Sequence, residues 1–263
     1  MLTEIEKKIV DRLLEHKKLN GMSGVQNAFT TNLEAEQLIK DDWNAFLFAV
    51  ILDQQIGAER AWATPLELKK RLGHLDVFKI AKMDDDELLD IFKKPFKLHR
   101  WVNKMPKWIK SACVYLVGQY EGRAENIWKD TKDARIIIER FDDFDGIGQK
   151  KSTMAVNFLA DYFKIPITNW ESIDISVDIM VRRVFQRSGL VSTNATDADI
   201  INKARELMPS FPGGLDFASW DIGRYWCLPK NPYCFYKENG KEDNCPLVKE
   251  CPSARIFSKI NSD

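Results

Sequence analysis

Helical periodicity runs through this chain from end to end, and no segment alternates long enough to build a sheet. Apolar residues fall at Ile5, Ile9, Leu13 and Leu14, then at Trp43, Phe46, Leu47, Val50 and Ile51. Further sets are Ile109, Ala112, Cys113, Leu116 and Val117; Ala134, Ile137, Ile138 and Phe141; and Met154, Ala155, Phe158, Leu159 and Tyr162. Each follows the three-and-four spacing of an amphipathic helix. Only short stretches such as Ile165 to Thr168 suit an extended strand, so the sequence predicts an all-α protein. With 263 residues, the chain is long enough for one large domain or two modest ones. Hydrophobic residues at 44% and charged residues at 30% exclude a disordered chain. The longest uncharged apolar run, Trp43 to Leu52, is about half of a membrane span, so no membrane partner is expected. The N-terminal segment mixes charged and apolar residues and has no signal-peptide core. We therefore expect an intracellular protein, whose cysteines bind metal or do chemistry rather than form disulfides.

Lys+Arg and Asp+Glu both number 39, so net charge alone does not point to a polyanionic partner. The charge is segregated, however. Asp84, Asp85, Asp86, Glu87 and Asp90 read as the solvated start of a helix. Residues 93–110 then carry Lys93, Lys94, Lys97, Arg100, Lys104, Lys107 and Lys110 with no acid, interleaved with Phe96, Trp101 and Trp108. Such a stretch suits phosphate neutralisation and base stacking, or equally a solvated helix face over core-facing tryptophans.

Two helices, Thr131 to Phe141 and Gln149 to Phe163, flank Phe144-Asp145-Gly146-Ile147-Gly148. Gly146 and Gly148 suit a tight turn with close backbone approach, and Ile147 between them can anchor that turn in the core. The free N–H groups of the turn and the following helix start then form a nest that can bind phosphate, which requires no positive net charge.

Four of the five cysteines, Cys227, Cys234, Cys245 and Cys251, lie near the C-terminus with spacing C-x6-C-x10-C-x5-C. No short Cys-x2-4-Cys pair of the kind usual in structural zinc sites is present. The spacing favours a [4Fe–4S] cluster, each of whose corner irons takes one cysteine, over zinc. Cys113, on the apolar face of a helix, reads as a buried small hydrophobe.

Together these features resemble the helix–hairpin–helix (HhH-GPD) DNA glycosylase superfamily, in its endonuclease III-like branch with an iron–sulfur cluster. The hairpin corresponds to Phe144-Asp145-Gly146-Ile147-Gly148-Gln149-Lys150. The family's Val-Asp-Thr-His-x-x-Arg-Val is matched by Val177-Asp178-Ile179-Met180-Val181-Arg182-Arg183-Val184, and its Gly-Arg-Tyr-x-Cys by Gly223-Arg224-Tyr225-Trp226-Cys227. Leu52-Asp53-Gln54-Gln55 looks like the helix end that carries the family's orphan-base glutamine. The resemblance spans roughly residues 40–255. Four departures stand out. Asp145 replaces a proline and, with Asp142 and Asp143, makes the hairpin approach acidic. Ile179-Met180 replaces Thr-His, which would alter the pocket wall. Lys150 and Asp178 are 28 positions apart, more than the family spacing, and the added segment includes Ile165 to Ser172 with Asn169 and Trp170. Phe235 to Asn244 is an added loop between cluster ligands.

The resemblance implies a base excision repair enzyme that flips a damaged or modified base out of double-stranded DNA and excises it. Asp178 would stabilise the positive charge that develops on the deoxyribose, and would also cap the helix that runs through Val181, Val184 and Phe185 to Gly189. Lys150 would form a Schiff base at C1′ and permit AP lyase β-elimination, aided by a helix N-terminus that lowers a lysine pKa. Lys151, one helix position away, would contact DNA. Gln55 would face the orphaned partner base, and Trp101 or His99 would wedge the gap. Lys249 and Arg255, on a loop braced by the cluster, would meet phosphate. The expected architecture is two-lobed. A helical barrel module spans 36–172, and a second lobe of 1–35 and 173–263 carries the cluster, with the DNA cleft between the lobes. The expected enzyme acts as a monomer. Two other readings stay open: a monofunctional glycosylase that uses water, and a DNA-binding module without catalysis.

Overall fold

A computed structural model of the chain describes residues 2–20, 29–235, 237–238, 241–242, 244–254 and 256. Twelve α-helices lie among them: α1 (Glu4–Asn20), α2 (Leu33–Asp41), α3 (Trp43–Leu52), α4 (Ala58–Leu72), α5 (Val77–Lys82), α6 (Asp85–Lys93), α7 (Met105–Gln119), α8 (Ala134–Asp142), α9 (Gln149–Asn157), α10 (Ile179–Arg187), α11 (Asp197–Leu207) and α12 (Asp216–Tyr225). The strands among the described residues are one two-residue antiparallel pair, Lys237–Glu238 with Lys241–Glu242. The fold is all-α, as the periodicity requires. No described helix is long and apolar enough to cross a membrane. The chain divides into two compact units, one of Val25–Val156 with Pro166–Thr168, the other of Met1–Gly24, Asn157–Ile165 and Asn169–Asp263.

The first unit is built round α3. Its spacing suggested one apolar face, but every residue from Ala45 to Leu52 is buried. After Asn44 the helix has no polar side chain, and a helix that is apolar all round can only sit at the centre. Asp42 caps it, accepting from the amides of Asn44 at 2.9 Å and Ala45 at 3.2 Å. The acidic run begins α6 as expected, with Asp84 as its cap and Asp85, Asp86 and Glu87 in the first turn, where the helix dipole favours negative charge.

Helix α8 starts at Ala134, the first residue of its apolar set and three residues after the expected Thr131. Thr168 donates its amide to Lys132 O (2.7 Å) and accepts from Ala134 N (3.1 Å), so Asp133 forms an isolated parallel bridge with Thr168 instead of a helical turn. The helix after the hairpin also departs from a plain α-helix. It runs as α9 and then widens into a π-helical turn at Phe158–Tyr162, with Phe163 N bonded to Phe158 O at 2.9 Å. In that wider turn the adjacent Leu159 and Ala160 are both buried.

The second unit has a core of Ile9 and Leu13 from α1, Val181, Val184 and Phe185 from α10, Ile200 and Leu207 from α11, and Ala218 and Ile222 from α12. α10 and α12 cross closely at Gly223. A Cβ there would lie 2.6 Å from Met180 Cβ and 2.9 Å from its Cα, so no side chain fits. Met180, expected at a pocket wall, therefore packs at this helix crossing, and its Sδ accepts from Arg183 Nη2 at 2.9 Å. Buried His16 joins α1 to α12 through Asp221 Oδ2 (2.8 Å) and sits edge-on to the Trp226 ring, centroid to centroid 5.4 Å.

Candidate functional site

The hairpin between α8 and α9 has the expected geometry. Gly146 takes φ +84°, and a Cβ on it would fall 2.3 Å from the Trp108 ring, so the turn requires glycine on both counts. Ile147 is buried and Gly148 exposed, with open space where a Cβ would be. The amide N–H groups of Gly148, Gln149 and Lys150 have no acceptor among the described residues and lie at the exposed start of α9. Backbone donors left open at a helix start are the kind of group that can hold an anion. The acidic approach is tied back to α7: Ser111 Oγ donates to Asp145 Oδ2 at 2.7 Å, and the Tyr115 hydroxyl to Asp143 Oδ2 at 3.0 Å. These two carboxylates thus act as acceptors within the unit.

The two lysines part ways. Lys150 is exposed. Lys151, expected at the DNA, is buried (7% exposed), and its amine donates to Ile51 O at 2.8 Å and Gly146 O at 2.9 Å. Burial pushes that amine down to about 7, with the Asp53 charge opposing and the Lys150 charge adding to the shift. The spacing contains the signal, because Lys151 lies one helical turn before Ala155 on a buried face of α9. Lys150 lies off that face.

The sign of the resulting pH dependence is fixed. In the unfolded chain Lys151 keeps its proton to about pH 10.4, whereas in the fold it releases it near 7. Between those limits the unfolded state binds more protons, so this residue makes stability rise with pH, by at most about 1.4 kcal/mol per unit. Denaturant melts of wild type and Lys151→Met isolate the effect from other titrating groups. Wild-type stability relative to the variant should rise by on the order of 2 kcal/mol between about pH 7 and pH 9. A flat difference would contradict the buried placement.

Gln55 lies just beyond α3, exposed, with φ +55°, a strained conformation for a non-glycine residue. Its neighbour Gln54, to which the sequence assigned no separate role, donates Nε2 to Gly146 O at 2.8 Å. Trp101 is half-buried and edge-on to Trp108, with centroids 6.2 Å apart, and the Lys104 ammonium stands 5.4 Å from its ring. His99, the other wedge expected, is fully buried and cannot enter a duplex. Its Nε2 bonds Leu52 O at 3.1 Å and its Nδ1 accepts from Trp101 N at 2.9 Å. Burial pushes its pKa down, so it is neutral with its proton on Nε2.

Asp178 belongs to the other unit. It caps α10 through Oδ1 alone, which accepts from the amides of Met180 and Val181 at 2.8 Å each. Its Oδ2 has no hydrogen-bond donor among the described residues. The extended segment leading to it is pinned at three points. Gly213 N donates to Ile173 O (2.7 Å), Arg205 forks onto Asp174 with two 2.7 Å bonds, and Ser176 N donates to Asp216 Oδ2 (3.2 Å). The carboxylate is therefore fixed in direction, with one oxygen that takes no part in the cap.

Cys227, Cys234, Cys245 and Cys251 line one pocket of this unit together with Arg187 and Leu247, and all are free thiols. Arg187 Nη1 lies 3.6 Å from Cys227 Sγ, and Cys251 Sγ donates to Arg187 O at 3.2 Å. Arg183 bonds Cys227 O and, at 2.7 Å, Gly223 O, fixing the start of the loop. Among the described residues no three His, Cys, Asp or Glu side chains are placed to hold one ion. Four thiols spread round a pocket wall, with a guanidinium beside them, are a donor set that fits a multi-iron cluster. Burial pushes Cys234 up to about 11 and Cys245 to about 12, so loading such a group releases protons. Lys249 on the same loop is exposed; Arg255 and part of the Phe235 to Asn244 loop lie outside the described residues. Cys113 is fully buried, its thiol pushed up by burial, and has no part in this pocket.

No curated protein matches the sequence. Solved structures with the same fold include a trapped endonuclease III–DNA covalent intermediate in an estranged-adenine complex, 18% identical with a TM-score of 0.66 over 98% of this chain and 100% of that one. A non-covalent endonuclease III–DNA complex matches at 18% identity and a TM-score of 0.67, with the same coverage of both chains. A thermostable thymine-DNA glycosylase matches at 15% identity and a TM-score of 0.65, over 96% of this chain and 98% of that one. The family model for HhH-GPD superfamily base excision DNA repair proteins matches residues 48–210, which include the hairpin, Lys150 and Asp178 but end before the cysteines. That match covers more than half of the sequence: the chain has the endonuclease III fold and belongs to the HhH-GPD superfamily of base excision DNA repair proteins.

Proposed function

We propose that this protein is a DNA glycosylase with AP lyase activity, which excises a damaged or modified base from double-stranded DNA inside the cell as a monomer. The observation that carries the reading is Lys150, exposed at the second position of α9 beside three unpaired amide donors. A phosphate held by those donors brings the sugar-phosphate backbone to the lysine. With the target nucleotide extruded, the deprotonated Nζ attacks C1′ as the bond to the base breaks. The base departs with the proton that Nζ gives up, the C1′–O4′ bond opens as O4′ takes a proton, and the resulting protonated imine acidifies the C2′ hydrogen, whose loss expels the 3′ phosphate by β-elimination. Asp178 Oδ2 supplies negative charge for the cation-like sugar. Gly146, Ile147 and Gly148 shape the phosphate nest, Gln55 faces the orphaned base and Trp101 supports the opened stack. In support, a structural neighbour of the same fold is a covalent intermediate trapped on DNA.

The four cysteines hold a [4Fe–4S] cluster in this reading, which braces the Cys245–Cys251 loop and with it Lys249, whose exposed amine meets phosphate. The donor set and the pocket support it. The test is direct. Purified protein is mixed with duplexes carrying single lesions, oxidised pyrimidines first, then uracil, oxidised purines and alkylated purines, and iron and sulfide are measured on the same sample. Base release on one lesion class, with about four irons and four sulfides per chain, is expected. No alkali-labile site on any lesion overturns the glycosylase; stoichiometric zinc without sulfide overturns the cluster.

A further inference from the structure

The end of α3 carries more hydrogen bonds from distant residues than a helix terminus needs. A helix leaves its last four carbonyls without partners, and water or a C-cap usually meets them. Here Ile51 O takes the Lys151 amine (2.8 Å) and Leu52 O takes His99 Nε2 (3.1 Å). Both donors are buried. Lys151 then reaches on to Gly146 O (2.9 Å), which also accepts from Gln54 Nε2 (2.8 Å). His99 holds the backbone of Trp101 through Nδ1 (2.9 Å).

We infer that the C-terminal carbonyls of α3 form a joint that fixes the hairpin, the Gln55 loop and the Trp101 segment to one another, with Lys151 and His99 as its positioning residues. Each of these three segments reaches the joint through a different bond: the hairpin through Gly146 O, the Gln55 loop through Gln54, and the Trp101 segment through His99. A lysine amine is costly to bury, and an apolar residue at position 151, one turn before buried Ala155, would fill the core without that cost. What the amine adds is a two-ended bond between carbonyls 95 positions apart in the chain, Ile51 O and Gly146 O. Two of the segments it joins, the hairpin and the Gln55 loop, must meet the same duplex in fixed register. The inference rests on the reading that all three segments meet DNA.

The test compares wild type with Lys151→Met, which keeps an unbranched side chain one atom shorter and removes the donor. Amide hydrogen exchange in residues 53–57 and 144–149 is read on the free protein, and affinity and single-turnover base release on the lesion duplex. Exchange in both segments is expected to rise at least about tenfold, and base release to fall about a hundredfold, as for a misplacement of about 1 Å. The melting temperature, taken near neutral pH, should stay close to wild type. A brace that served stability alone would lower the melting temperature and leave the affinity of the folded protein unchanged. Unchanged exchange in both segments overturns the joint. If Lys151→Met does not fold, Gln54→Met removes the other donor to Gly146 O at a half-buried position; raised exchange in the hairpin then supports the joint and unchanged exchange overturns it. Because exchange needs no DNA, a wild type inactive on every lesion would sink the proposed function while leaving this result readable.

Discussion

Asp178→Asn is expected to slow base release by about a thousandfold while leaving the affinity for lesion-bearing duplex within about threefold of wild type. The separation comes from the two oxygens. Oδ1 accepts both capping bonds, from Met180 N and Val181 N. Asparagine is as good an N-cap as aspartate and keeps that carbonyl acceptor, so α10 should start as before. What is lost is the charge on Oδ2, which has no hydrogen-bond donor in the described part of the fold. Removing one preorganised group aimed at transition-state charge costs about 3–4 kcal/mol, and about 4 kcal/mol corresponds to a thousandfold. Asp178→Ala makes the control. It removes charge and cap together and adds a stability loss of about 1 kcal/mol. Equal base release by Asp178→Asn and wild type, measured in single turnover, would remove Asp178 from the chemistry and leave it a helix cap.

Lys150→Ala should abolish lyase activity, and it should do so without touching the fold, since Lys150 is exposed. The adjacent lysine provides the contrast. Lys151 has the amine that burial drives toward neutrality, and on pKa alone it would be the better nucleophile. Geometry decides against it: its amine is spent on two backbone carbonyls inside the unit. Bringing it to a sugar would require breaking both bonds and turning the start of α9. Lys150 needs no such movement, and a DNA backbone seated on the neighbouring amides would lie against it. The two substitutions should therefore fail differently. Lys150→Ala loses the covalent step, whereas Lys151→Ala forms the adduct more slowly through a loosened joint.

Elements whose start, face and stop are all local were legible in the sequence. Helix α10 is the clearest case, with Asp178 as its cap, Val181, Val184 and Phe185 on its buried face, and Gly189 in left-handed conformation just after its end. The hairpin turn followed from Gly146, Ile147 and Gly148 for the same reason. Features that depend on partners far along the chain were not legible. Nothing near Asp143 or Asp145 announces that the Tyr115 and Ser111 hydroxyls will donate to them, and nothing near Lys151 announces Ile51. Periodicity also misled where it was uninformative: α3 is apolar at nearly every position, so a three-and-four pattern can be drawn through it although no face is exposed. His99 reads as a polar residue in a basic, aromatic stretch, and only tertiary structure reveals it as a buried peg.

The most direct test is borohydride trapping on a duplex carrying the lesion that the protein excises, with wild type, Lys150→Ala and Lys151→Ala run in parallel. Reduction of an imine joins enzyme and DNA irreversibly and marks the lysine that formed it. A covalent adduct with wild type and with Lys151→Ala, absent with Lys150→Ala, is the predicted result. An adduct that persists in Lys150→Ala and disappears in Lys151→Ala would contradict the assignment of the nucleophile. Base release with no adduct from any of the three would contradict the lyase and make water the nucleophile.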